Sequence, residues 1–121
     1  MKNAKSSWAP DRREVIWIDC NPQTGREMKD IHPLLVLSPK IFSERTGIVI
    51  GLPMTTANYN ETNPFAIPFV GPTGVKSYIL THQPKSFDWK MRGAKLHPMK
   101  TVPEDVFALV CEGLNQIIEL H

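Results

Sequence analysis

Four histidines, His32, His82, His97 and the terminal His121, are the side chains of this sequence that titrate near neutral pH. They are therefore its first candidates for proton transfer. His32 precedes Pro33 at the end of a polar stretch, and His82 opens the run His82-Gln83-Pro84-Lys85-Ser86. His97, beside Pro98, reads as structural. No glycine-rich phosphate loop, nucleophile elbow or His/Cys cluster of zinc-binding spacing accompanies them. Cys20 and Cys111 lie far apart in the chain, fit neither a metal spacing nor a disulfide framework, and read as small buried apolar residues. The carboxylates are dispersed, whereas a hard cation needs several converging oxygens, so neither a metal nor a cofactor is expected.

The second chemical signal is charge. Residues 76–100 hold six basic side chains (Lys76, Lys85, Lys90, Arg92, Lys95, Lys100) against the single acid Asp88. Tyr78, Phe87 and Trp89 are interleaved with them. Such a mixture suits a nucleic-acid surface, although a solvated face has the same composition. Phe87 and Trp89 read as core residues rather than stacking platforms.

The elements that must position these residues follow from pattern and punctuation. With 121 residues, 41% apolar and 21% charged, the chain suits one compact domain, with residues 1–12 expected as a flexible arm. Neither a membrane-length apolar run nor a secretory h-region is present, and a cytoplasmic protein is the simplest reading. Eleven prolines scattered over the first 103 positions favour short strands over a helical bundle. Strands are expected at 14–19, 34–37, 48–52, 65–70, 77–81 and 94–99. A long loop is expected at 21–33, one helical turn at 39–46, a polar loop at 55–64 and a turn at 71–74. Thr101 and Glu104 have capping-box spacing. Val106, Phe107, Val110, Leu114, Ile117 and Ile118 then give a closing helix one apolar face. The fold class is mainly β with a C-terminal helix, a small barrel or curled sheet.

Taken together, several segments resemble the MazF/PemK family of toxin endoribonucleases. They are Ile16-Trp17-Ile18-Asp19-Cys20-Asn21-Pro22, Gly25-Arg26-Glu27 and His32-Pro33-Leu34-Leu35-Val36-Leu37-Ser38. Leu52-Pro53-Met54-Thr55-Thr56 and His82-Gln83-Pro84-Lys85-Ser86-Phe87-Asp88-Trp89 continue the match, with Arg92 and Ala94-Lys95 trailing. The resemblance runs through most of the chain and rests on the order and spacing of short pieces. It implies an SH3-like barrel, a homodimer, metal-independent cleavage of single-stranded RNA through the 2′-hydroxyl, and a cognate antitoxin. A gyrase-poisoning toxin of the same fold and a noncatalytic RNA- or antitoxin-binding relative are the alternatives. The gyrase reading is disfavoured because this chain has no Trp near its end.

The family's loop presents Arg before the proline, where this chain has His32, and many members have Asp where this chain has His82. Arg holds its proton at neutral pH and His does not, so the two departures suggest converted chemistry. The expectation is an acid–base pair of His32 and His82, with Thr55 and Arg26 holding the phosphate. Glu27 would position the loop or partner His32, and Thr56 and Gln83 would contact RNA. Lys85, Ser86 and Lys95 would supply phosphate contacts.

Overall fold

The structure is a computed structural model that describes residues 8–21 and 30–119. Its elements are β1 (Glu14–Asp19), β2 (Ile31–Val36), α1 (Lys40–Thr46), β3 (Ile48–Thr55), a 3-10 helix (Asn58–Thr62), β4 (Ala66–Val70), β5 (Lys76–Leu80), β6 (Lys85–Asp88), β7 (Lys95–Thr101) and α2 (Glu104–Ile118). The strands form an antiparallel sheet in the order β4-β5-β3-β2-β1-β7, with β6 paired to β3. One edge of β3 serves two partners in turn: Ile48–Gly51 pairs with β6, and Met54–Thr55 pairs with β5. The sheet curls into a half-barrel closed by α2, in line with the expected small barrel.

Both faces of the central strands are covered. Val15, Leu35, Leu52, Met54 and Ile79 pack with Val102 and Val110 in the core beneath α2. Ile16, Ile18, Leu34, Val36 and Val49 pack with Ala9 and Trp89 in a second core. Alternation along the pleat explains why β1 contributes to both cores. Trp89, a core residue as expected, donates its indole N–H to the Ser43 carbonyl at 2.9 Å. Its ring meets Trp8 edge-on at 5.7 Å.

Five expectations are corrected. β2 begins at Ile31, so His32 and Pro33 belong to a strand rather than to the long loop. β3 runs through Pro53, where the flanking Leu52 and Met54 are buried and offset the lost donor. β6 falls in a segment for which no strand was expected; its exposed, charged half hides the alternation. The capping box does not form: Thr101 ends β7, Pro103 occupies the N-cap, and no side chain bonds there. The arm is not free throughout, because Ala9 is buried and Asp11 accepts the Lys40 amide N–H. By contrast, Pro68 and Pro98 lie on the terminal strands β4 and β7, where proline is tolerated.

Two local contacts fix the elements near the end of β3. Gly51 sits where β2 and β3 approach so closely that a Cβ would lie 2.4 Å from the Leu35 carbonyl oxygen. A Gly51→Ala variant should lose about 1–3 kcal/mol of stability in urea unfolding, the usual cost of forcing atoms into a packed site. Unchanged stability would show that the strands separate easily.

The second contact is a clamp on the 3-10 helix. Glu61 accepts hydrogen bonds from the Tyr78 hydroxyl at 2.5 Å and the Lys76 ammonium at 2.8 Å. The Lys76 bond and then the Tyr78 bond hold the Glu61 carboxyl below its ordinary range, and the Glu61 bond raises Lys76. A depressed carboxylate stabilises above its unfolded pKa and loses that contribution as pH falls through its folded one. A raised lysine loses its contribution only as pH rises above 10.5. Hydrogen-exchange protection of the Asn60 and Asn63 amides should therefore hold at neutral pH and fall in acid below 4.5. Glu61→Gln should lower that protection at neutral pH.

Candidate active site

The C-terminal end of β3 and the start of β2 form one rim of the sheet. Leu34 pairs with Pro53, and the same register carried two residues further sets His32 opposite Thr55. Pleat alternation gives both residues the same facing. Both line a cavity of about 510 Å³, together with Trp17, Pro33, Met54, Thr56, Thr73, Ser77, His97 and Met99. The volume is in the range of small-ligand sites.

His32 is exposed, and its Nε2 lies 2.5 Å from Asp30 Oδ1. Asp30 is itself anchored to the end of β1: its amide N–H reaches Asp19 Oδ1 at 3.2 Å, and its carbonyl accepts the Cys20 amide at 2.8 Å. With a carboxylate on Nε2, the neutral ring carries its proton there and presents Nδ1 as the acceptor. Thr55 Oγ1 accepts the Ala57 amide N–H at 3.2 Å, which fixes the oxygen and leaves the O–H to donate. A poised imidazole acceptor and an oriented hydroxyl donor thus face one cavity. That arrangement can remove a proton from a bound hydroxyl while a neighbouring oxyanion is held.

His82 lies outside this cavity. β5 ends at Leu80, and after the buried Thr81 residues 82–84 form an exposed bulge before β6 resumes pairing with β3. The bulge carries the His82 ring to Phe65, 5.9 Å between centroids, with Gln83 Nε2 at 3.3 Å from its Nε2. Within one chain, the expected His32–His82 pair is not assembled. Thr56 lines the cavity beside Thr55; Gln83, like His82, stands away from it. Arg26 and Glu27 lie outside the described residues.

Sequence reasoning missed His97 as a cavity residue. Its signal was the alternation that puts it on the same face of β7 as Lys95, which pairs with Trp17.

The basic segment is not one patch. Lys76 is engaged by Glu61, and Lys90 lies over the Trp89 ring at 5.4 Å. Arg92 donates to the Asp19 carbonyl at 3.3 Å and to the Asn21 carbonyl, tying down the end of β1. Lys85, Ser86 and Lys95 remain exposed. Burial, and then Asp30 and Asp19, push the Cys20 thiol up against an opposing pull from Lys85 and Arg92. A raised thiol pKa suits the unreactive role expected of Cys20. Among the described residues, no three His, Cys, Asp or Glu side chains converge to hold a metal ion, and no helix is long and apolar enough to cross a membrane.

Comparison with known proteins agrees with this architecture. The profile of the family described as PemK-like, MazF-like toxin of type II toxin-antitoxin system matches residues 11–118. The endoribonuclease toxin MazF of Escherichia coli K12 is 31% identical over 113 residues, covering 93% of this chain and 97% of that protein. The endoribonuclease PemK of Escherichia coli is 28% identical over 111 residues, covering 89% of this chain and 81% of the relative. A crystal structure of MazE-MazF from Deinococcus radiodurans superposes with a TM-score of 0.80 at 29% identity, covering 94% of this chain and 99% of the other. With the family profile spanning nearly all the described strands and the closing helix, this chain belongs to the PemK/MazF family of type II toxin–antitoxin toxins.

Proposed function

We propose that the protein is a metal-independent, sequence-selective endoribonuclease that cleaves single-stranded RNA by attack of a 2′-hydroxyl on the adjacent phosphorus. The observation that carries this reading is His32, oriented by Asp30 and set opposite Thr55 across the cavity. His32 Nδ1 takes the 2′-hydroxyl proton, and the Thr55 hydroxyl donates to a phosphate oxygen as charge develops there. Breaking the P–O5′ bond then leaves a 2′,3′-cyclic phosphate and a 5′-oxygen that takes a proton from solvent to become the 5′-hydroxyl, while the His32 imidazolium returns its proton to solvent. Arg26 is a further candidate for holding the phosphate and Glu27 for ordering the first loop. Its relatives are named as endoribonucleases, which supports the same class of reaction.

Lys85 and Lys95, with Ser86, supply phosphate contacts beyond the reacting centre. The protein acts as a homodimer in the cytoplasm, restrained by an antitoxin as in the MazE-MazF assembly of a structural neighbour. Support for the dimer comes from an unfilled groove of about 680 Å³ lined by Leu37, Phe42, Ile50, Leu114 and Ile118. Ile50 and Ile118 of that lining are exposed, as is the adjacent Ile117, and exposed apolar side chains around a groove are of the kind that marks an interface. His82 and Gln83 adjoin Pro84 of that groove, so any part they take in the reaction comes through the dimer.

His32→Ala should lower the cleavage rate at least about a hundredfold, the low end for a general acid–base group, with little change in RNA binding. Replacing the 2′-hydroxyl at the cut site by hydrogen should abolish the reaction, and chelator should not affect it. Cleavage that stops in EDTA and returns with Mg²⁺ would overturn the mechanism. A His32→Arg variant as fast as wild type would show that this position supplies charge rather than proton transfer.

Removing Lys85 and Lys95 together should weaken binding to all RNA sequences alike. It should also flatten the salt dependence by roughly 0.7 in logarithmic slope per lost contact. A sequence-dependent loss would mean that these lysines read bases. Sedimentation at micromolar concentration should give twice the 13.7 kDa chain mass; a species of 13.7 kDa alone counts against the dimer.

A further inference from the structure

The cavity contains a second histidine for which the ribonuclease reading has no task. His97 and Trp17 occupy the same face of the sheet on neighbouring strands, diagonal to one another, because Trp17 pairs with Lys95. Their ring centroids are 4.5 Å apart and the planes are tilted by 33°. The Met99 amide donates to His97 Nδ1 at 3.0 Å, so that nitrogen carries no proton and the ring's hydrogen sits on Nε2. Burial further disfavours the charged ring. Protonation would also cost the bond to Met99.

His97 is therefore held as a neutral imidazole of one tautomer with one donor atom, stacked on an indole. It cannot take a hydroxyl proton at Nε2, because Nε2 already carries one. A phosphate would be better served by a cation and gains nothing from a stacked pair of rings. A nucleobase uses both features: a flat π-face for stacking and an edge that offers an acceptor. Pro33, Met54, Pro98 and Met99 make the surrounding wall apolar, as a desolvated base requires.

We propose that Trp17 and His97 form a nucleobase shelf that selects one nucleotide beside the scissile bond, the base stacking on the Trp17 indole beside His97 and accepting a hydrogen bond from His97 Nε2. The proposal rests on the reading of this cavity as an RNA site. A base that presents an amino group at that point sets donor against donor and is rejected, whereas one that presents a carbonyl or ring nitrogen is kept.

The test uses 2′-deoxy oligonucleotides, which bind but cannot react by the route proposed, varied at each position and titrated by tryptophan fluorescence. Wild type should prefer particular bases at one position by about tenfold, the lower range for a good base contact. His97→Phe keeps a ring beside Trp17 and should lose that preference while still binding the favoured oligonucleotide within several-fold. His97→Gln retains a donor and should keep part of the preference, which separates loss of the contact from a disturbed fold. In end-mapped digests of mixed RNA, His97→Phe should relax selection at the same position. Unchanged base preference in His97→Phe overturns the shelf. A uniform fall in cleavage rate with an unaltered cut pattern also overturns it, and assigns His97 to the reaction. A protein that discriminates among deoxy oligonucleotides yet cuts no RNA leaves the shelf standing and removes the ribonuclease reading.

Discussion

The close packing of β2 on β3 at Gly51 is the constraint on which the rest of the site depends. The absence of a Cβ there lets Leu34 and the Leu35 carbonyl close against β3. The register of Leu34 with Pro53 then follows, and with it the placement of His32 opposite Thr55. A strand slipped by one residue would send every side chain to the other face. Leu34 and Leu35 would exchange cores, and His32 and Thr55 would no longer share a facing. The register is specified because a slip would exchange side chains between two differently packed cores.

Much of this was legible in the sequence, for reasons that differ between segments. The runs at 14–19 and 48–52 are β-branched and flanked by turn residues, and both appear as strands. The apolar steps from Val106 to Ile118 appear as α2, although Ile117 and Ile118 remain exposed beside the groove. What failed was punctuation by proline. Pro53 reads as a stop, but buried Leu52 and Met54 on either side outweigh its missing donor, and Pro33, expected in the loop, sits in the exposed first half of β2. The capping box failed because the sheet holds Thr101 in its ladder opposite Glu14, so its hydroxyl is not delivered to the helix. Within the chain His82 stands apart from His32 because of a bulge, and a bulge has no periodic signature. Three more residues on the β5–β6 side than on β3 displace it, and nothing in the local sequence counts them.

The exchange of a family arginine for His32 is intelligible only with Asp30 in view. Histidine in place of arginine surrenders a permanent charge and a bidentate donor. Alone on an exposed rim, it would tumble between rotamers and tautomers. Asp30 removes that freedom through a single charge-assisted bond, and its own backbone is fastened to Asp19 and Cys20. Orientation is therefore passed from β1 to the His32 ring through one short carboxylate. The same logic recurs across the cavity, where the Met99 amide fixes His97 by occupying Nδ1 and leaving Nε2 protonated. The two histidines are thus held in the same Nε2–H tautomer, but with opposite nitrogens engaged. One offers a lone pair from Nδ1 and the other a proton from Nε2, so their chemistry diverges although their side chains are identical.

The distribution of charge explains why recognition falls to such contacts. Of the six cations in residues 76–100, Lys76, Lys90 and Arg92 are committed to Glu61, the Trp89 ring and the end of β1. The remaining lysines on the described surface leave a modest field, in a chain of net charge only +2. Counterion release scales with the number of phosphates contacted, so Lys85, Lys95 and Lys100 by themselves would give RNA only a modest electrostatic grip. On the ribonuclease reading, stacking and donors oriented in an apolar wall would then add the rest. These terms differ from base to base, whereas a phosphate contact is the same for every nucleotide. Committing Lys76, Lys90 and Arg92 to the fold would therefore, on the ribonuclease reading, shift this segment's share of recognition toward contacts that differ from base to base.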